Sequence, residues 1–277
     1  MKAPINKIID FSTVDGPGCR TSIFVQKCNI HCLYCHNPET QNLCISCGDC
    51  VKTCPNNALT KIDNKVIWDE NKCINCDTCI KTCTHNASPK IINMSALDVF
   101  NKIKKNIPFI RGITVSGGEC SLYPLFLTEL AKLAHENNLT FLMDSNGMVD
   151  YKAYKELIDN VDGVMLDIKS WDNEVYNKLT GFSNDVVKSN LIYLNSLNKI
   201  EELRIVYVPS LVDAKACLDG IKDILKENIN TTRIKLIKFR NNGVKGILSN
   251  FENVSDSQIN EIYNYALDLG FKNVIVR

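Results

Sequence analysis

Six alternations of a short apolar run with an amphipathic segment predict an α/β fold, an incomplete parallel (β/α)6 barrel, interrupted by a small cysteine-rich insert. Three observations carry this. Apolar runs rich in β-branched residues stand at 21–26 (TSIFVQ), 112–116 (GITVS), 139–143 (LTFLM), 163–168 (GVMLDI), 203–208 (LRIVYV) and 233–239 (RIKLIKF). They read as parallel strands covered on both faces. Apolar positions at three-and-four spacing fill 95–106, 124–137, 150–160, 183–198, 213–227 and 255–269, one helix after each strand. Residues 44–87 hold eight of the 14 cysteines and interrupt this alternation between the first strand and the first helix. Residues 1–43 and 88–277 are therefore expected to build the barrel, with 44–87 inserted in a loop where such barrels accept extra chain.

With 32 basic against 31 acidic residues, the chain has no charge excess that would attract nucleic acid or an anionic membrane. The opening MKAPINKIIDF lacks the apolar run of a signal peptide, and no segment approaches the roughly 18 apolar residues of a membrane span. A cytoplasmic protein is expected, and a monomer, because no large apolar helix face is left over. In a reducing compartment, clustered thiols point to metal rather than to disulfides.

Within the insert, CISCGDCVKTCP (44–55) and CINCDTCIKTCT (73–84) are two copies of C-x2-C-x2-C-x3-C, offset by 29 residues. This is the run of two-cluster bacterial ferredoxins, where three close thiolates hold one 4Fe-4S cluster and the fourth cysteine reaches to the other. It assigns Cys44, Cys47, Cys50 and Cys83 to one cluster, and Cys73, Cys76, Cys79 and Cys54 to the second. Thr84 replaces the proline that follows the first copy, which removes a rigid turn but no ligand. Zinc sites use two separated cysteine pairs and suit these runs poorly. A ferredoxin-like domain of this kind relays electrons and needs an acceptor.

The acceptor is sought just upstream. CNIHCLYCHNP (28–38) supplies only three cysteines, Cys28, Cys32 and Cys35, so a 4Fe-4S cluster held there keeps one iron for a small molecule. Three strand-end loops place polar residues on the same rim: VSGGEC, MDSNG and LDIKSW. Gly117 and Gly118 also suit a turn, and Asp144 or Asp167 a helix cap. Their equivalent positions beside the cluster loop favour a shared site.

CNIHCLYC, with Tyr34 before its last cysteine, resembles the signature of the radical S-adenosylmethionine enzymes. The resemblance implies a third 4Fe-4S cluster whose open iron is chelated by the methionyl group of S-adenosylmethionine. It also implies reductive cleavage to methionine and a 5'-deoxyadenosyl radical. By the same resemblance Gly117, Gly118 and Glu119 receive the methionyl amino group and Lys169 pairs with its carboxylate. Asp167 contacts the bound methionine, and Asp144, Met165 and Asp167 border a monovalent cation.

FSTVDGPGCR (11–20), CHNPET (35–40), SGGE, DSNG, MLDIK and LTG (179–181) follow the order found in glycyl-radical-enzyme activating enzymes, and the insert with VIW, DSNGM and LRIVYVP is most similar to the YjjW type. That resemblance implies a protein substrate, a glycyl radical enzyme that loses a glycine α-hydrogen. It implies in addition an external low-potential donor such as flavodoxin or ferredoxin. The competing readings are a radical enzyme acting on a small molecule or peptide, with the insert as relay, and a plain electron carrier. The first lacks chain beyond residue 240 for a further domain; the second leaves CxxxCxxC, SGGE and DIK without a purpose. Two residues depart from the family pattern, Lys27 for the glycine before the first cluster cysteine and Arg240 for a histidine near the methionyl carboxylate. His31 is expected as a loop residue, and Cys19, Cys120 and Cys217 as small buried hydrophobes. Asp15 is a turn residue that, by resemblance, also lies where the target glycine would enter.

Overall fold

Each of the six apolar runs is a strand in the computed structural model, which describes residues 1–277. In chain order the elements are β1 (Lys2–Ser12), β2 (Arg20–Val25), α1 (Asp49–Thr53), β3 (Leu59–Ile62), β4 (Lys65–Trp68), α2 (Thr78–Thr82), β5 (Ile92–Ser95), α3 (Ala96–Ile103), β6 (Gly112–Gly117) and α4 (Pro124–Glu136). They continue as β7 (Thr140–Ser145), α5 (Lys155–Asn160), β8 (Gly163–Asp167), α6 (Asn173–Thr180), α7 (Asp185–Ser196), β9 (Ile200–Tyr207), α8 (Ala214–Leu225), β10 (Arg233–Lys238), α9 (Asp256–Asp268) and β11 (Asn273–Val276).

The main sheet has nine strands in the order β11-β10-β9-β8-β7-β6-β2-β1-β5. From β2 through β11 every neighbouring pair is parallel, whereas β1 pairs antiparallel with both β2 and β5. The curved sheet stays open between β5 and β11. The antiparallel pair and β11 extend the six-strand barrel expected from the sequence. Their sequences explain why they were not evident: β1 mixes Lys2, Asn6, Lys7 and Asp10 among its apolar residues, and only Ala3, Ile5 and Ser12 are buried.

Helix ends follow local chemistry. Ser95 caps α3 in a reciprocal box, its hydroxyl accepting from Asp98 N at 3.1 Å while the Asp98 carboxylate accepts from Ser95 N at 3.0 Å. Ser255 and Gln258 repeat the arrangement at α9. The amphipathic segment at 150–160 starts as a 3-10 turn (Tyr151–Tyr154) and becomes α-helical only in α5. One continuous core of 52 buried residues fills the space between the sheet and its helices.

The insert is built separately. α1 and α2 carry the two cysteine repeats, and β3 and β4 form a hairpin between them. Its own core is Cys50, Leu59 and Cys79, packed by Val66, Trp68 and Ile80 among others. Thr53 and Thr82, equivalent residues of the two repeats, meet hydroxyl to hydroxyl at 3.1 Å, as a pseudo-twofold axis requires. The neck is pinched where Asn42 bridges to Ala87 and Asn42 N donates to Asn86 O at 3.1 Å. Gln26, fully buried after β2, donates to Glu39 O at 2.7 Å and Asn42 O at 2.6 Å, fixing the cluster loop's exit. No helix is long and apolar enough to cross a membrane.

Candidate active site

A cavity of about 270 Å³ opens at the carboxyl ends of β6, β7, β8 and β9, where parallel barrels position reactive groups. Cys28, Cys32, Tyr34 and Cys35 line one side, and Gly117, Gly118, Glu119, Asp144, Asp167 and Lys169 the other. The structure therefore gathers these rim residues around one cavity, while Met165 lies outside its lining.

The two glycines are required by backbone approach. A Cβ on Gly117, whose φ is +122°, would stand 2.2 Å from Val25 O; one on Gly118 would stand 2.2 Å from Lys27 O and 2.7 Å from Thr40 O. That closeness lets Gly118 N donate to Val25 O at 2.9 Å and Glu119 N to Lys27 O at 2.8 Å, while Lys27 N donates to Thr40 O at 2.9 Å and Cys28 N to Gln41 O at 2.9 Å. The SGGE loop and the cysteine loop are thus laced into one unit. Lys27 sits at φ +83°, in the left-handed region that favours glycine. Replacing Gly118 by alanine should cost about 1–3 kcal/mol or more and displace Cys28. The expected result is a lowered unfolding temperature together with reduced iron retention, read by thermal denaturation and iron analysis.

Glu119 does not project freely into the cavity. Its Oε1 accepts from Ser121 N (2.9 Å), Ser121 Oγ (2.6 Å) and Ser145 Oγ (2.7 Å), and its Oε2 from Asn146 N (2.7 Å). Asn146 Nδ2 in turn donates to Asn29 Oδ1 at 2.9 Å and lies 3.6 Å from Cys28 Sγ. Oε2 is the oxygen left with accepting capacity toward a bound ammonium.

Asp144 has a permanent cation beside it. Arg204 Nη1 donates to Asp144 Oδ2 at 2.6 Å, Nε to Glu202 Oε1 at 2.6 Å and Nη2 approaches Met165 Sδ at 3.1 Å. Ser116 Oγ donates to the same Asp144 oxygen at 3.1 Å, and Lys235 Nζ completes the array on Glu202 at 3.1 Å. The guanidinium of Arg204 thus touches both Asp144 and Met165, two of the three residues expected around a monovalent cation. The sequence carried a signal for it that was not used: a charge inside the apolar run LRIVYV is a buried charge and needs partners.

Lys169 is buried, donates to Asp167 Oδ2 at 3.0 Å and lies 5.7 Å from the Tyr34 ring centre. Burial alone would lower the pKa of its ammonium, but the Asp167 carboxylate and the Cys32 sulfur outweigh that and hold it well above its ordinary range. The opposite holds for the thiols: burial pushes Cys28 up to about 12 and Cys32 up to about 11. Loading a metal cluster on these thiols must therefore release protons.

The donor set suits an iron–sulfur cluster with an amino-acid ligand. Three thiols line the cavity together with a cation, Lys169, and the carboxylates of Glu119, Asp144 and Asp167. The hydroxyls of Tyr34 and Tyr176, whose fields bear on Cys32 and Lys169, are buried with no protein partner. In the insert, one small cavity is lined by Cys54, Cys73, Cys76 and Cys79, the other by Cys44, Cys47, Cys50 and Cys83. No group of three or more His, Cys, Asp or Glu side chains is placed to hold a single metal ion.

Other expectations separate here. Arg240 is exposed and does not line the cavity; it meets the cluster loop only through its carbonyl, 2.8 Å from His36 Nε2. Its side chain therefore does not replace the family's histidine in this structure. Asp15 is held by Ser12 Oγ (2.6 Å) and Ser22 Oγ (2.8 Å) in the β1–β2 loop, outside the cavity lining. His31 is an exposed loop residue. Cys120 and Cys217 are buried, whereas Cys19 is half-buried.

Residues 22–217 match the model of the Radical SAM superfamily. An indoleacetate decarboxylase activating enzyme of Tractidigestivibacter scatoligenes is 30% identical over 99% of this chain and 98% of its own length. A pyruvate formate-lyase-activating enzyme of Clostridium pasteurianum is 27% identical over 87% of this chain and 83% of its own. Among solved structures, QueE from Escherichia coli superposes with a TM-score of 0.58 at 13% identity, covering 100% of this chain and 94% of that one, a likeness of fold. The chain belongs to the Radical SAM superfamily.

Proposed function

We propose that this enzyme activates a glycyl radical enzyme by removing an α-hydrogen from a glycine of that partner. The observation that carries the reading is the convergence of Cys28, Cys32 and Cys35 with Gly117, Gly118, Glu119, Asp144, Asp167 and Lys169 on one cavity. The relatives that align along most of the chain, activating enzymes of indoleacetate decarboxylase and of pyruvate formate-lyase, support it. When bound, the cluster and S-adenosylmethionine supply reductive cleavage of the sulfonium and a hydrogen-abstracting 5'-deoxyadenosyl radical.

The chain's own residues bind and orient. Cys28, Cys32 and Cys35 hold the cluster, and Tyr34 packs beside the nucleotide. The backbone of Gly117 and Gly118, with Glu119 Oε2, receives the methionyl ammonium. Lys169 offers its remaining N–H groups to the carboxylate. Asp167 fixes Lys169, and Arg204 balances Asp144. In this reading the charge of Arg204 does the work expected of a monovalent cation.

Residues 44–87 form a ferredoxin-like unit with two further 4Fe-4S clusters, on Cys44, Cys47, Cys50 and Cys83 and on Cys54, Cys73, Cys76 and Cys79. The cavities lined by those two crossed sets support the assignment, as does the pseudo-twofold contact of Thr53 with Thr82. Gln41 links this unit to the cluster loop, since its carbonyl accepts from Cys28 N at 2.9 Å and its Oε1 from Asn86 Nδ2 at 3.0 Å. The insert passes electrons inward from an external low-potential donor such as flavodoxin or ferredoxin. Replacing Cys44 and Cys73 should stop turnover with a protein donor while sparing it with a small chemical reductant. Equal loss under both would refute a relay role. The reading as a whole is tested by incubating the reduced holoenzyme anaerobically with S-adenosylmethionine and candidate glycyl radical enzymes. A glycyl radical signal is expected on the partner, and 5'-deoxyadenosine without that signal would point to another substrate.

A further inference from the structure

The insert contains one buried donor that its own protein atoms do not satisfy. Trp68 ends β4 opposite Leu59, and its indole Nε1 is buried without a hydrogen-bond partner. Leaving such a donor unpaired costs about 1–3 kcal/mol, so native proteins rarely do it. The side chain lines the cavity of Cys54, Cys73, Cys76 and Cys79. Across the pseudo-twofold, the cavity of Cys44, Cys47, Cys50 and Cys83 meets Val66 of the same strand, which has no side-chain donor; the side-chain donors that line it, Thr84 and His85, are solvent-exposed.

We propose that the Trp68 indole N–H donates to a sulfur of the cluster held by Cys54, Cys73, Cys76 and Cys79 and makes that cluster easier to reduce than its twin. The proposal rests on the two-cluster reading above. A donor aimed at sulfur stabilises the reduced state, which carries one more negative charge, more than the oxidised one. No bond is made or broken; the cluster takes up one electron from the external donor. Two further donors stand on this side, Ala58 N to Cys54 Sγ at 3.3 Å and Thr78 Oγ1 at 3.3 Å from Cys76 Sγ, while Asn75 Oδ1, an acceptor, lies 3.7 Å from Cys73 Sγ; the other set has a single Ser46 N to Cys44 Sγ contact at 3.4 Å. Lysines stand near both sets. Lys90 lies in the first cavity, already paired with Asp77 at 2.6 Å, while Lys61 and Lys245 reach the carbonyls of Cys47 and Cys83 at 3.0 and 3.3 Å. Those two lie in solvent-exposed contacts and are screened, which leaves the buried indole nitrogen of the half-buried Trp68 as the main asymmetry.

The test is a redox titration of the reconstituted full chain followed by electron paramagnetic resonance, with Cys28, Cys32 and Cys35 replaced by alanine so that only the insert contributes. Wild-type Trp68 should give two separate one-electron waves. In Trp68→Phe, and in a variant carrying the isosteric benzothienylalanine at 68, the upper wave should fall by about tenfold in its equilibrium constant, about 59 mV, with the lower wave unmoved. Coincident waves in the parent, or an upper wave unmoved in the isosteric variant, would overturn the proposal. In both cases retained iron would leave the two-cluster reading standing. Failure of the insert to take up iron at all would overturn both.

Discussion

Replacing Cys32 by alanine should abolish production of 5'-deoxyadenosine in an anaerobic assay with excess dithionite, because two thiolates cannot hold a cluster with one defined open iron. The loss should exceed that from any single change among the ligand-orienting residues. It should also be selective: iron content should fall by the share of one cluster, and the signals of the insert should survive, since Cys32 lies in the barrel cavity and the insert packs its own core. Full activity in Cys32→Ala would remove the reaction from this cavity. Loss of all iron would instead indicate that barrel and insert do not load independently.

The largest expected effect on stability lies at Arg204. Its guanidinium pairs with Asp144 and Glu202 at 2.6 Å each, with the arginine side chain 9% exposed and the two carboxylates 15% and 2%. Substitution by methionine would leave Glu202 with Lys235 at 3.1 Å and Asp144 with only the Ser116 hydroxyl at 3.1 Å. Breaking a buried pair from one side costs about 3–5 kcal/mol, which for a chain of this size lowers the unfolding temperature on the order of 10 °C. Binding of S-adenosylmethionine, measured by equilibrium dialysis on the folded fraction, should weaken as well, because Asp144 loses the charge that balances it. An unchanged melting temperature would mean that water, not Arg204, carries Asp144 in solution.

Much of this site was legible because its chemistry is concentrated at strand ends. An apolar run that stops at SGGE, DSN or DIK announces both a buried strand and a rim residue, and each of these three rims lines the observed cavity. The spacing of the cysteine repeats likewise anticipates which thiols line each of the two small cavities of the insert.

What escaped was decided by tertiary partners. Arg204 sits within an apolar run, and its pairing with Asp144, 60 residues earlier, depends on two strands separated in the sheet by β8. Glu119 looked free to meet an ammonium, but Ser121, Ser145 and Asn146 claim most of its oxygens. Arg240 occupied the right place along the chain, yet the loop after β10 turns its side chain outward and leaves only a carbonyl for His36. β1 and β5, the antiparallel end of the sheet, were hidden because they bury too few residues to show a continuous apolar run.

The most direct test of the central claim is electron–nuclear double resonance on the reduced holoenzyme with S-adenosylmethionine labelled at its amino nitrogen and carboxylate oxygen. Hyperfine coupling of both labels to a cluster that is lost in Cys32→Ala is the predicted result. Bound nucleotide with neither label coupled to iron would contradict the account.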